Sequence, residues 1–576
     1  MNGLDRQSHS FLRFVFLMVL CGILYLPPLY RIPFFDKGEP REALEVQSLV
    51  TGGNWLFPLK TGGDIPSKPP LFHWAGALFS LIWGETNEAT VRFPSAFFAT
   101  LGVLMLYLFG RKLFDTRVAF LAGVILATTL IYQKQAVEAR VDMTLSFFVA
   151  ATLIIFYALY QGWLPTSLGF YGFYLILGVS VLAKGPVGLV LPGMTVAIFL
   201  VVRKRWDFFA KLCFHKGVLL ALGVGLLWYG IALFQGGEAF FGRQILKENL
   251  ARFFVYGEGG TGHQKPIYYY LPYLFSGGLP WSLFLPFIII DGLKNKSFFE
   301  EGSLFLVLWS VVVFGFFSLA AGKRADYLLP LYPALALLTA RWIRTEREFA
   351  IGKRIGLSLV AGLCLLSGAV LAAVFFWILW DPNLLHLPSG LARLLKPKDE
   401  LKLLLLETTF KQPGWVFLSC LGGAILLWLL AAWDFFQLRV RRAALKLSMI
   451  SILSWLLAEG IFMQAIADAR SYRNFMKEVN RVVAQGGNLY LYGGGFDSSS
   501  VFFYHGGVIP DLNESPLAVT DRLRSGKDRI IMSEQGWRQI QSLDEHLSLR
   551  VIKSVGTGPE GDAPLVLVSA VAEPNL

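Results

Sequence analysis

Four cysteines in 576 residues exclude a disulfide framework: Cys21, Cys213, Cys364 and Cys420 lie in or beside apolar runs with no paired spacing. The same spacing offers no cysteine zinc site. Charge is scarce as well, at 16% of residues. The net +12 collects in short segments between apolar runs, so it does not describe a nucleic-acid surface. Gly493-Gly494-Gly495 could pass for a phosphate loop, but the G-x-x-G continuation is missing and a tight turn remains. There is no internal repeat, and charges sit at the ends of the apolar runs. Both absences speak against a transporter or flippase.

What the chain has is hydrophobic length. With 55% hydrophobic residues, 49 Phe and a mean hydropathy of +0.54, it reads as a polytopic membrane protein. Apolar runs of roughly twenty residues fall near 11–30, 91–110, 117–134, 141–160, 168–183, 185–202, 216–235, 271–291, 303–321, 326–342, 355–380, 413–436 and 444–466. That predicts about thirteen transmembrane helices. The first run ends in LYLPPLY rather than in small residues, which predicts an uncleaved span. The run at 71–84 is short, and we expect it to be re-entrant or interfacial.

Alternate loops carry the positive charge: Arg111, Lys112 and Arg117; Arg203, Lys204 and Arg205; Lys294 and Lys296; Arg341 and Arg344; Arg439, Arg441 and Arg442. Only the loop at 161–167 in this series has none. The pattern predicts a cytoplasmic N-terminus and, with an odd number of spans, a periplasmic C-terminus in a bacterial inner membrane. The opposite loops hold the chemistry. Residues 34–74 concentrate Asp36, Lys37, Glu39, Arg41, Glu42, Glu45, Asp64 and Lys68. Glu39-Pro40-Arg41 reads as a helix start, and Lys68 stands before a stiff Pro69-Pro70. On the same side lie Glu138, Arg140 and Asp142, then Lys184 in AKGP and Lys323 in GKRADY. The 236–270 segment reads as an interfacial amphipathic helix and a glycine-rich turn. Phe240, Phe241, Ile245, Leu250, Phe253 and Phe254 are expected against lipid, and Arg243, Glu248 and Arg252 toward water. Glu248 and Arg252 are spaced for an internal ion pair. His263 has no partner at metal-ligand spacing.

From about Ser471 the composition turns soluble. A helix over Tyr472–Ala484 is predicted, followed by apolar runs at 488–492, 501–509, 529–533, 549–555 and 565–570 and a helical stretch near 536–545. The expected fold class is therefore an all-α polytopic membrane domain (1–470) with a small C-terminal periplasmic α/β domain (471–576).

Carboxylates, fixed cations and aromatics on one outward face fit a lipid-phosphate substrate. Glycosyl transfer from such a donor needs a carboxylate to take the acceptor's proton and cations to hold the departing phosphate. The residues also resemble a family, the GT-C membrane glycosyltransferases, above all the lipid A aminoarabinose transferases and more distantly the protein O-mannosyltransferases. The resemblance covers roughly 30–345 and rests on motifs in order. These are E-x-R with GNW-x-x-P and KPP-x-x-x-W, R-x-D at 140–142, AKG at 183–185, EN-x-x-RF at 248–253, H-x-x-P-x-x-YY at 263–270, G-x-LPW at 278–281 and GKR-x-x-Y-x-LP at 322–330.

The resemblance implies an inverting transferase using an undecaprenyl-phosphate-type sugar donor and an acceptor such as lipid A, another envelope glycan or a protein hydroxyl. Lys68, Arg252 and Tyr327 match the residues that hold the lipid phosphate, and Asp142 matches an acidic position. Where the family has an Asp-Glu pair, this chain reads Gly38-Glu39, leaving Glu39 or Asp36 for that role. Arg41, Arg140, Lys184, His263 and Lys323 complete the expected phosphate and sugar contacts. The family's glutamate before the lysine is Ser67 here, so His263 lacks its metal partner, and no metal or other cofactor is assigned. A non-catalytic assembly protein or a lipid-linked sugar transporter are the competing readings.

Overall fold

The computed structural model describes residues 3–60, 63–255, 264–345, 351–380, 414–494, 496–512, 514–524, 528–543, 549–553, 558–559 and 562–570. The chain is mostly helical. Helix α1 (Gly3–Arg31) is followed by two short helices, α2 (Glu39–Val50) and α3 (Leu71–Trp83). Then come α4 (Glu88–Leu113), α5 (Thr116–Ala127), α6 (Leu130–Ala136), α7 (Val141–Tyr160), α8 (Thr166–Lys184) and α9 (Val187–Val202). Among the described residues nine helices are long and apolar enough to cross a membrane, or eleven if two bent pairs each count as one span. The chain is thus a multi-span membrane protein. Helix α3, at 13 residues, is too short to span, and Leu81, Ile82 and Trp83 stay exposed on it.

The two bent pairs meet. The break between α5 and α6 turns the chain by 65°, and that between Ile267–Gly277 and Trp281–Lys294 by 108°. Leu130 N donates to Leu279 O at 3.1 Å, so one break satisfies a backbone group freed by the other. In an apolar surrounding such a group needs a partner. Leu130, Leu279 and Pro280 also line a cavity of about 830 Å³.

Local sequence explains the short outward helices. Asp36 Oδ1 accepts from the N–H groups of Gly38 and Glu39 at 3.0 and 2.8 Å and so starts α2, where Pro40 needs no donor. The double proline before α3 sets its entry, and Gly84, at φ 86°, closes it with a bond to Ser80 O. Asn87 and Thr90 form a reciprocal cap on α4.

The described part of the 236–270 segment is not a regular α-helix. A helix over Gly217–Phe240 bends at Gly237 (φ 52°) and continues as a π-helix over Phe241–Ala251. Phe240 is fully buried and packs edge-on against Phe57, not against lipid. The π-helical winding places Glu248 inward as well, at 10% side-chain exposure.

After a helix at Arg473–Ala484, five strands form one sheet: β1 (Asn488–Tyr492), β2 (Asp511–Leu512), β3 (Asp528–Ser533), β4 (Leu549–Lys553) and β5 (Leu565–Ala570), in the order β2-β1-β3-β5-β4. β1 runs parallel to β2 and β3, while β5 is antiparallel to β3 and β4. The apolar run at 501–509 is a helix at its start (Ser498–His505), because Asp497 caps it through Ser499 N and Phe503 packs on α2 and α3. This unit grips the segment between α1 and α4. Tyr504 OH donates to Glu88 Oε1 and accepts from Phe34 N, both at 2.9 Å, and Lys37 and Arg41 pair with Asp562 and Asp497.

Candidate active site

Three ion-pair groups organise the face that carries α2 and α3. The first is deep. Glu39 is buried and receives Arg92 Nε and Nη2, each at 2.7 Å, while Ala139 N adds a third bond at 2.8 Å. Both oxygens of Glu39 are taken. Arg92 in turn donates to the carbonyls of Leu29 and Ile32 and tops the Phe34 ring. Glu39 and Arg41 do not pair, because residues two apart on a helix face different ways. Arg41 reaches Asp497 instead and lines neither large cavity.

The second group is Asp36 with Arg140, whose Nη2 donates to Asp36 Oδ2 at 2.6 Å. A Cβ on Gly38 would stand 1.9 Å from Arg140 Nη1. The Gly38 departure thus makes the room that the Arg140 guanidinium fills. Asp36 lines the 830 Å³ cavity with Glu39, Arg92, Lys134 and Glu138. Burial pushes the Glu138 carboxyl up to about 7, against the pull of Lys134 and Arg140.

The third group surrounds a second cavity of about 330 Å³. Lys68 Nζ lies 2.6 Å from Glu248 Oε2, and Arg252 Nη2 reaches the same oxygen at 3.0 Å. Arg252 Nη1 donates to Tyr327 OH at 3.4 Å. Lys184 donates to Asp142 Oδ1 and holds its ammonium 4.1 Å from the Tyr327 ring centre. Burial and the Arg252 charge push the Lys68 ammonium below the usual lysine range, and Glu248 opposes them. Phe253, Phe254, Phe316 and Phe317 wall the same space. Gly185, at φ 85°, turns the chain after Lys184, and Asn249 and Tyr229 approach it so closely that a Cβ would meet them at 3.1 and 2.9 Å.

Of the expected residues, Lys68, Lys184, Arg252 and Tyr327 line this cavity, and Asp142 is tied to it through Lys184. Lys323 is buried and donates to Ala320 O, off the lining. His263 lies outside the described residues. Ser67 puts a hydroxyl on the cavity wall where the family carries a carboxylate, so the residues described there do not fit that family's metal. Arg92 went unpredicted. Its signal is a lone arginine within the apolar run at 91–110, a costly place for a charge without a partner.

A protein family described as dolichyl-phosphate-mannose-protein mannosyltransferase matches residues 67–229. The crystal structure of ArnT from Cupriavidus metallidurans bound to undecaprenyl phosphate aligns with a TM-score of 0.70 at 19% identity, over 97% of this chain and 99% of that one. The fold is that of ArnT. Among curated relatives, the undecaprenyl phosphate-alpha-4-amino-4-deoxy-L-arabinose arabinosyl transferase of Enterobacter sp. (strain 638) is 31% identical over 339 residues, 56% of this chain and 58% of that protein. The protein of the same name from Pseudomonas aeruginosa (strain UCBPP-PA14) is 30% identical over 62% of this chain and 64% of its own length. The chain therefore matches about three fifths of these relatives. Its resemblance to the GT-C membrane glycosyltransferases holds, and the ArnT fold brings the separate motifs at 68, 184, 252 and 327 to one cavity.

Proposed function

We propose that this chain is an integral membrane glycosyltransferase of the GT-C type that moves a sugar from a polyprenyl-phosphate donor to an envelope acceptor, such as lipid A, another glycan or a protein hydroxyl. One observation carries the reading: a cavity with Lys68, Arg252 and Tyr327 at its polar end and four phenylalanines on its wall. Cations bind a phosphate, and an aromatic wall suits an isoprenoid tail. The relatives named for an undecaprenyl-phosphate sugar support the same donor class.

In this reading the donor phosphate takes the place of the Glu248 carboxylate between Lys68 and Arg252. As the sugar leaves, negative charge grows on the phosphate, and the two cations with Tyr327 stabilise it. Asp142 takes the acceptor's proton. Lys184 holds its Oδ1, and its Oδ2 makes no hydrogen bond among the described residues. A single base acting from the far side of the sugar gives inversion. Asp36, held by Arg140, lines the larger cavity, with Glu39 supporting the loop through Arg92.

The same reading places the chain in a bacterial inner membrane with the site and the C-terminal domain (471–576) periplasmic. The positive loops support this orientation. Thirteen spans follow if α9 and the segment Ala325–Arg344 join the eleven.

The test is binding of a polyprenyl phosphate to purified protein. Lys68→Ala and Arg252→Ala should each cost about 1.5–3 kcal/mol, the worth of a hydrogen bond to a charged group. That is a roughly ten- to hundredfold loss of affinity. Unchanged binding in both variants would remove them from the donor site. Mass spectrometry of envelope lipids, glycans and proteins with and without the gene identifies the acceptor.

A further inference from the structure

A cluster beside the ion pairs above has no part in the reaction just described. Glu42 and Glu45 share one face of α2, three residues apart. His73, on α3, points its Nε2 between them, 2.7 Å from Glu42 Oε2 and 3.0 Å from Glu45 Oε2. The three donor atoms fall within 4.8 Å of one another. His73 is fully buried and the Glu45 side chain is 1% exposed. Lys60 Nζ lies beside the cluster, 3.6 Å from the opposite oxygen, Glu45 Oε1.

Hydrogen bonding alone does not complete this cluster. One imidazole nitrogen carries one proton and gives it to one acceptor. Glu42 takes that bond at 2.7 Å. Glu45 Oε2, aimed at the same nitrogen, remains buried with no hydrogen-bond partner. Native proteins rarely leave a buried carboxylate oxygen in that state. Two carboxylates and an imidazole converging on one point are also the ligand set of a borderline divalent cation. Their two negative charges match such an ion.

We propose that Glu42 Oε2, Glu45 Oε2 and His73 Nε2 bind one divalent transition-metal ion of the zinc or manganese class. Around a tetrahedral ion with bonds near 2.1 Å, donors stand about 3.4 Å apart, so the side chains open by roughly half an ångström on binding. The ion ties α2 to α3. Asp36 and Glu39 stand at the start of α2, and Lys68 immediately precedes α3, so the ion fixes the spacing of the acidic and phosphate-binding groups. It is a positioning site, separate from Ser67 and His263, and it does not depend on the transferase reading.

The experiment uses the full chain in detergent, stripped with a chelator and then equilibrated with zinc or manganese. Elemental analysis and thermal unfolding are read together. One ion per chain and a raised unfolding midpoint are expected for the unaltered protein and for His263→Ala. Glu45→Gln and His73→Gln should each weaken binding by roughly a hundredfold or more, beyond the 10–100-fold that outer partners of a metal cost. If His73→Gln does not fold, Glu45→Gln decides alone, since it keeps shape and imidazole. No ion above background in the unaltered chain overturns the proposal and leaves a proton-sharing His–Glu pair. An ion kept by Glu45→Gln and lost from His263→Ala overturns it too, and moves the metal to the other histidine.

Discussion

In the proposed reaction, Glu248 is the residue on which donor binding turns. Its carboxylate already occupies the place between Lys68 and Arg252 where a phosphate would sit. A ligand must therefore displace an internal anion. Glu248→Gln weakens that competitor from a charged to a neutral hydrogen-bond acceptor, a difference of about 1–1.5 kcal/mol. We expect polyprenyl phosphate to bind roughly tenfold tighter. The empty protein should melt at a lower temperature, because two partly buried cations lose their counter-ion, and the ligand should restore more of that loss than in the unaltered chain. A titration with thermal readout checks both signs. Glu39 and Asp142 separate in the same assay. Glu39→Gln strips the buried Arg92 of its charge partner and should cost about 3–5 kcal/mol of stability. Asp142→Asn should keep the fold and abolish transfer, and a fully active Asn variant would end its role as base.

At the scale of the element, the start of α2 carries the clearest constraint. Gly38 leaves the space in which the Arg140 guanidinium reaches Asp36. Gly38→Ala forces that guanidinium aside, so we expect transfer to fall at least tenfold while polyprenyl-phosphate affinity, set in the other cavity, changes little. Parallel kinetics and binding test the split. Loss of both together would mean that the two cavities move as one. The helix pair α2–α3 is otherwise built from local signals: Asp36 and Pro40 at one start, Pro69-Pro70 at the other, and Gly84 at the end.

Across the whole molecule, the C-terminal sheet unit is docked on the segment between α1 and α4 and does not hang free. Tyr504 bridges Phe34 N and Glu88, more than 400 residues away in sequence. Tyr504→Phe leaves the buried Phe34 N–H without its partner, which costs about 1–3 kcal/mol, while Glu88 Oε1 keeps its contact with Arg473. Limited proteolysis should then cut the 34–50 region sooner, at unchanged secondary structure. Equal cutting rates would show that the docking is redundant.

Sequence alone determined much of this. Runs of apolar residues made the membrane helices legible, since hydrocarbon admits few alternatives to a helix. The motifs around Lys68, Lys184, Arg252 and Tyr327 pointed to residues that share the 330 Å³ cavity before any geometry, because cations beside a membrane need either a partner or a ligand. The strands at 488–492 and 565–570 were equally plain. What the tertiary structure decided is who pairs with whom. Glu39 lies two residues from Arg41 yet bonds Arg92, 53 positions on, and Asp142 passes over Arg140 for Lys184. Glu42, Glu45 and His73 meet only because α3 folds back on α2. Such pairings depend on which helix faces are buried together, and a charge in a dry interior takes the partner that packing brings within reach.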